Sequence, residues 1–137
     1  PTLEALRHRV IYGEVPEAAR RPYLRAANNY AKSLRALKRF EEAKSLLRKT
    51  MPVARRVLGE SHEITLRMRS VYAAALCNDT GATLDDVREA VTTLEEIELI
   101  ARRVLGGAHP DTAMLEQSLR AARAALRARE TPSPGSA

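Results

Sequence analysis

Three histidines, one cysteine and one adjacent pair of aspartates are the side chains of this sequence best suited to catalysis or metal binding. Histidine can move protons near neutral pH or ligate a metal through a ring nitrogen. A cysteine thiolate is a nucleophile and a soft metal ligand, and paired carboxylates can divide acid and base roles. The spacing speaks against each use. His62 and His109 each stand three residues after the glycine of an Ala-Arg-Arg-Val-Leu-Gly segment, at 54–59 and 101–106, so they recur at corresponding turns 47 residues apart. His8 lies in a weaker copy, Leu6-Arg7-His8-Arg9-Val10-Ile11-Tyr12-Gly13. Histidines one repeat apart should lie near the ~10 Å that separates stacked helices, too far to share a metal. Turn packing or capping is their expected role. Cys77 falls on an alanine-rich stretch and reads as a small core residue. A single cysteine excludes an intrachain disulfide and a cysteine-based structural zinc site. Asp85 and Asp86 read as helix N-terminal charges. No nucleophile and base stand at local spacing. The sequence thus assigns no catalytic residue, metal ligand or cofactor, and the expectation is a non-enzymatic protein.

The elements that would position these residues form a repeat. The 47-residue offset joins the Ala-Arg-Arg-Val-Leu-Gly segments, the histidines and then Thr65 and Thr112. A second offset of 42 joins Leu24-Arg25, Tyr30 and Leu34 to Leu66-Arg67, Tyr72 and Leu76. The difference is an insertion at the turn-forming cluster Asn78-Asp79-Thr80-Gly81-Ala82. Each unit reads as two helices. Leu24, Ala27, Ala31 and Leu34 recur at spacings of three and four, as do Val87, Ala90, Val91, Leu94 and Ile97. Thr83 to Asp86 has the pattern of a capping box, and Gly59 and Gly106 fall where a helix end favours a left-handed residue. Pro52 lies inside an apolar period that stays in phase across it, which predicts a continuing helix with a bend. The expected order is a leading helix (about 2–12), a pair (about 17–36 and 40–58), a second pair (about 62–78 and 84–105), a final helix (about 110–129) and a polar, disordered tail over 131–137. That makes one helical repeat domain over 1–130, with units at 17–58 and 62–105. No pair buries its apolar face alone, and stacking the pairs makes a continuous core.

Asn28-Asn29-Tyr30-Ala31, Leu34 and Lys38-Arg39-Phe40-Glu41-Glu42-Ala43 resemble a tetratricopeptide repeat. The recurring Ala-Arg-Arg-Val-Leu-Gly with His109-Pro110-Asp111-Thr112 is similar to the longer variant found in kinesin light chains and their relatives. Lys38 stands where the repeat usually has glycine, and the second unit has Ser70-Val71 in place of the Asn-Asn pair. The resemblance covers about residues 20–126. It implies an all-α fold, a right-handed α-solenoid of antiparallel helix pairs with about six helices. It also implies a protein-interaction scaffold or adaptor that binds a peptide or helix on the concave face, lined by the first helix of each pair.

On that face the resemblance places a stripe of Arg25, Asn28, Asn29, Lys32 and Arg35, followed by Arg67, Ser70, Val71 and Ala74, then by Gln117 and Ser118. Asparagine amides can bond both sides of a peptide backbone, and arginine can clamp carboxylates. The peptide-binding set is Arg25, Asn28, Asn29, Lys32, Arg35, Arg67, Ser70 and Gln117, and the expected partner is an acidic protein or peptide. Charge agrees in sign. Residues 1–58 hold 14 Lys and Arg against 5 Asp and Glu, a net of +9, whereas residues 59–110 hold 5 against 9, a net of −4. The formal charge of +6 is the remainder of a polarised chain. Two other readings stay open: a small accessory subunit whose solenoid ends pack into a larger multi-subunit assembly, and a basic nucleic-acid-binding repeat. The second is not favoured, because no nucleic-acid motif or glycine-rich phosphate loop is present. No apolar run approaches the ~20 residues of a membrane span. The chain begins at Pro1 with no signal-peptide pattern, so its compartment is unread and the cytoplasm is the default expectation.

Overall fold

A computed structural model describes residues 2, 3, 5 and 17–131. Among them are five helices and no strand: α1 (Glu17–Ala36), α2 (Phe40–Leu58), α3 (Glu63–Asn78), α4 (Leu84–Val104) and α5 (Pro110–Glu130). All five agree with the expected spans to within one residue at either end. The leading helix expected at 2–12 and the tail expected at 131–137 lie, but for Thr2, Leu3, Ala5 and Thr131, outside the described residues.

Local chemistry explains the boundaries. Thr83 Oγ1 accepts the Asp86 N–H at 3.1 Å while Asp86 accepts the Thr83 N–H at 2.9 Å, which completes the capping box. The hydrogen bond from the Thr83 backbone holds the Asp86 carboxyl below the usual carboxylate range. α3 and α5 are capped by histidine instead of a hydroxyl or carboxylate. His62 Nδ1 accepts the Ile64 N–H at 3.1 Å, and His109 Nδ1 accepts the Asp111 N–H at 3.0 Å. This is the capping role expected of the two histidines, and it fixes the same entry angle one repeat apart.

Helix ends repeat as well. The Gly59 N–H reaches the carbonyls of Ala54 and Arg55, and the Gly106 N–H reaches those of Ala101 and Arg102. Both glycines have positive φ, 96° and 90°. Gly59 differs from the expected left-handed conformation, because its ψ is 163°. That region is essentially reserved for glycine. A Cβ placed on Gly59 would meet nothing within 4 Å, so the backbone alone opposes a side chain. Gly59→Ala is therefore expected to cost about 1–3 kcal/mol, read as a lowered denaturation midpoint with an unchanged helical spectrum. Lys38, at the end of α1, takes φ 62° where the repeat usually has glycine, and the Arg39 N–H closes that turn on the Leu34 carbonyl at 2.8 Å.

α2 runs through Pro52 as expected, and α1 runs through Pro22, which the periodicity did not single out. Both prolines are exposed, so water can serve the carbonyl that each leaves without a donor.

Each helix packs on the next, and α3 also packs on α1 and on α5. α1 and α5 do not touch each other, nor do α2 and α4. α3 is therefore the shared partner of all four others, and apolar or polar residues are buried on every side of it. One core cluster joins Leu24, Ala27 and Ala31 to Leu47, Met51 and Met68. A second joins Leu66 and Leu76 to Leu94, Ile97, Leu115 and Leu119. Alanines at the α1, α2 and α4 contacts let the helices approach closely. Few aromatics are needed as a result, and Tyr23 is the only one in the buried core among the described residues.

Charged contacts tie the layers together. Lys44, nearly buried, reaches Glu41 at 2.7 Å and Asp79 at 3.6 Å. The Glu41 hydrogen bond pushes its ammonium above the ordinary lysine range. Arg102 bridges Glu98 of α4 and Glu116 of α5.

Candidate functional site

The side-by-side placement of α1, α3 and α5 leaves a groove of about 660 Å³ between α1 and α5, with α3 as its floor. Asn28, Asn29, Lys32 and Arg35 form the α1 wall. Their spacing keeps them on one side of the helix while Leu24, Ala27 and Ala31 of the same turns enter the core. Arg67, Ser70, Val71, Ala74 and Cys77 form the floor. The α5 wall consists of Asp111, Met114, Ser118, Ala121 and Ala125.

The two walls differ in chemistry. Asn28 is only 5% exposed, and its carboxamide oxygen is buried without a hydrogen-bond donor. Buried polar atoms are nearly always bonded, and an orphan costs about 1–3 kcal/mol. Arg35 Nε, on the same wall, is also buried and without an acceptor. Among the described residues neither Lys32 nor Arg35 has an ion pair. Beyond Asp111 the α5 wall is made of small or apolar side chains, with Met114 Sδ accepting weak bonds from the hydroxyls of Ser70 and Ser118 at 3.8 and 3.7 Å.

Arg67 is engaged inside the protein. Its Nε reaches Asp111 Oδ2 at 3.1 Å and its Nη2 reaches Oδ1 at 3.4 Å, a two-bond clasp from α3 to α5. Glu63, one turn earlier, contacts the same guanidinium at 2.5 Å.

Of the eight residues expected to bind a peptide, Asn28, Asn29, Lys32, Arg35, Arg67 and Ser70 thus lie along one groove. Arg25 lines a different cleft, with Arg21, Pro22, Val57, Leu58 and His62. Gln117 is exposed on α5 but off the groove lining, and its neighbour Ser118 faces in. Sequence reasoning missed Met114, Ala121 and Ala125. Stepping by three and four from Asp111 gives 114, 118, 121 and 125, so the helical period held the signal.

Burial pushes the Cys77 thiol up, which keeps it from being a thiolate nucleophile. His62 is held below the ordinary imidazole range, first by burial and then by Arg21, with Arg25 adding and Glu63 opposing. Among the described residues no three His, Cys, Asp or Glu side chains come together as a metal site, and no helix is long and apolar enough to cross a membrane.

Residues 23–83, from α1 to the cap of α4, match the family model of the tetratricopeptide repeat, which supports a tetratricopeptide repeat protein. Such repeats generally mediate protein–protein interaction and are typically non-enzymatic scaffolds. Comparison with curated proteins and with solved structures gave no match.

Proposed function

We propose that the chain is a non-enzymatic interaction module, of the kinesin-light-chain-like kind, whose groove takes an acidic peptide or helix from a partner protein. The observation that carries this reading is Asn28. A carboxamide almost wholly buried at the groove, with its oxygen lacking a donor, is suited to accept a backbone N–H from a ligand. Lys32 and Arg35, without internal carboxylates, then meet acidic side chains one and two turns further along α1. Met114, Ala121 and Ala125 offer an apolar wall for aliphatic ones. Arg67 has a different part in this scheme: Asp111 occupies it, so it sets the distance between α3 and α5 and leaves ligand charge to the α1 wall.

Titrating an acidic peptide pool against the wild type, Asn28→Ala and Lys32→Ala/Arg35→Ala tests the groove. Either change is expected to weaken binding about tenfold or more, since hydrogen bonds to charged or buried groups are worth about 1.5–3 kcal/mol. Equal affinity in all three proteins would sink the site.

A further inference from the structure

The repeat places the same junction twice in the chain, and the two copies are filled differently. At the second junction Arg67 and Leu105 meet Asp111, Met114 and Leu115 at the start of α5. Arg67 is satisfied there by Asp111 from across the junction and by Glu63 from its own helix. At the first junction Arg25 and Leu58 are the equivalent residues, by the 42- and 47-residue offsets. These two line an open cleft of about 970 Å³ that also takes in Arg20, Arg21 and His62. The carboxylates are gone: Arg21 stands in the place of Glu63, and Ile64 in the place of Asp111. Among the described residues neither Arg21 nor Arg25 has an ion pair. A guanidinium that the protein elsewhere pairs with two of its own carboxylates thus stands, among the described residues, in an open cleft lined by three arginines, Arg20, Arg21 and Arg25.

His62 lines the same cleft. Its Nδ1 accepts the Ile64 N–H, so the ring proton sits on Nε2 and is available to an anion. Ala18, Pro22, Val57 and Leu58 supply an apolar border.

We infer that this cleft is an anion site for a phosphate monoester on a partner protein, held by Arg21, Arg25 and the Nε2–H of His62. The clasp of Arg67 on Asp111 is the internal precedent for the geometry, a guanidinium donating two bonds to one anionic group. The exchange of Glu63 for Arg21 puts a further cation beside Arg25, with Arg20 on the same cleft, and calls for more than one negative charge. A phosphate monoester carries about −1.5 to −2 at neutral pH, where a carboxylate carries one. The site stands apart from the groove, so it holds or fails independently of the peptide reading.

The cleft also supplies a reporter. The charged groups around His62 are Arg21 and Arg25 from α1 and Glu63 from α3, and Arg20 of α1 lines the same cleft. Burial first and then the two arginines disfavour the imidazolium; a bound dianion offsets the arginines, so occupancy raises the His62 titration midpoint. The probe is acetyl-Ala-phosphoserine-Leu-amide, with its unphosphorylated and glutamate forms as controls, followed by the NMR signal of His62 Cε1–H. A saturable shift is expected with the phosphopeptide, weaker with the glutamate form and absent with serine. Arg21→Glu rebuilds the pattern of the second junction, because a carboxylate placed there can pair with Arg25 one turn on, as Glu63 pairs with Arg67. It should retain the fold and weaken binding about tenfold or more. Arg25→Gln should do the same without adding a carboxylate, and Asn28→Ala should leave the shift intact. An undiminished shift in both arginine variants, or none in the wild type, overturns the site. Equal binding of the glutamate peptide overturns the phosphate assignment. Tighter binding to duplex nucleic acid or to anionic vesicles than to the phosphopeptide overturns the protein partner.

Discussion

Met68→Ala is expected to lower the stability of the fold by about 2–5 kcal/mol, the range for emptying a fully buried methionine site. Met68 is wholly buried on α3 and packs in the cluster that joins α1 and α2. Leu66, Ala73 and Leu76 of the same helix belong to the cluster that joins α4 and α5. Because α3 is the shared partner of all four helices, loosening it reaches both clusters at once. Domains of this size are stable by only about 5–15 kcal/mol, so the change removes a large share. Urea denaturation followed by helical circular dichroism measures it. A loss below about 1 kcal/mol would show that the site collapses around the smaller side chain or that α3 is not central.

Removing Glu96 is expected to cost more than removing the arginine it holds. Arg69 lies on α3 with its side chain nine-tenths buried. Its Nη2 meets Glu96 of α4 at 2.6 Å, its Nη1 is 3.8 Å from Glu60, and its Nε has no acceptor. Glu96→Ala leaves a buried guanidinium with one distant carboxylate, at a cost of about 1–3 kcal/mol. The figure stays below the range for a fully buried pair because Glu96 is itself more than half exposed, where water and salt screen it. Arg69→Met keeps the aliphatic stem in the core and removes the charge, so it should cost less. Arg69→Met/Glu96→Ala should match Arg69→Met alone. A double-mutant cycle in which the two single losses simply add would mean that the contact carries no coupling energy.

The helices were legible in the sequence because their signals are local. The capping box at Thr83, the glycines after Leu58 and Leu105 and the in-phase period across Pro52 each act within a few residues. The groove was legible in part for the same reason: Asn28, Asn29, Lys32 and Arg35 share a stripe by helical geometry alone. What lay beyond the sequence depends on pairs from different helices. Arg67 looked like a free clamp until Asp111, 44 residues on, was seen to hold it. Arg25 belongs to the same stripe as Asn29, yet the end of α2 and His62 draw it into another cleft. Gln117 and Ser118 are adjacent in sequence but point about 100° apart on a helix, and only the contact with α3 decides which of them faces the groove. Lys38 showed the converse: the departure from glycine was visible, while the positive φ it keeps was not.

The pattern of helix contacts has a consequence for how the chain acquires this shape. Every packed pair is adjacent or next but one in order. Each contact therefore closes only a short loop, and the entropic penalty of long-range search is small. Topologies of this kind fold fast, and solenoid units can nucleate at more than one point and grow toward each other. In this chain both routes, from α1–α2 or from α4–α5, converge on α3. Either half can assemble first, but neither is complete without that helix, so a late-forming α3 would set the pace for both.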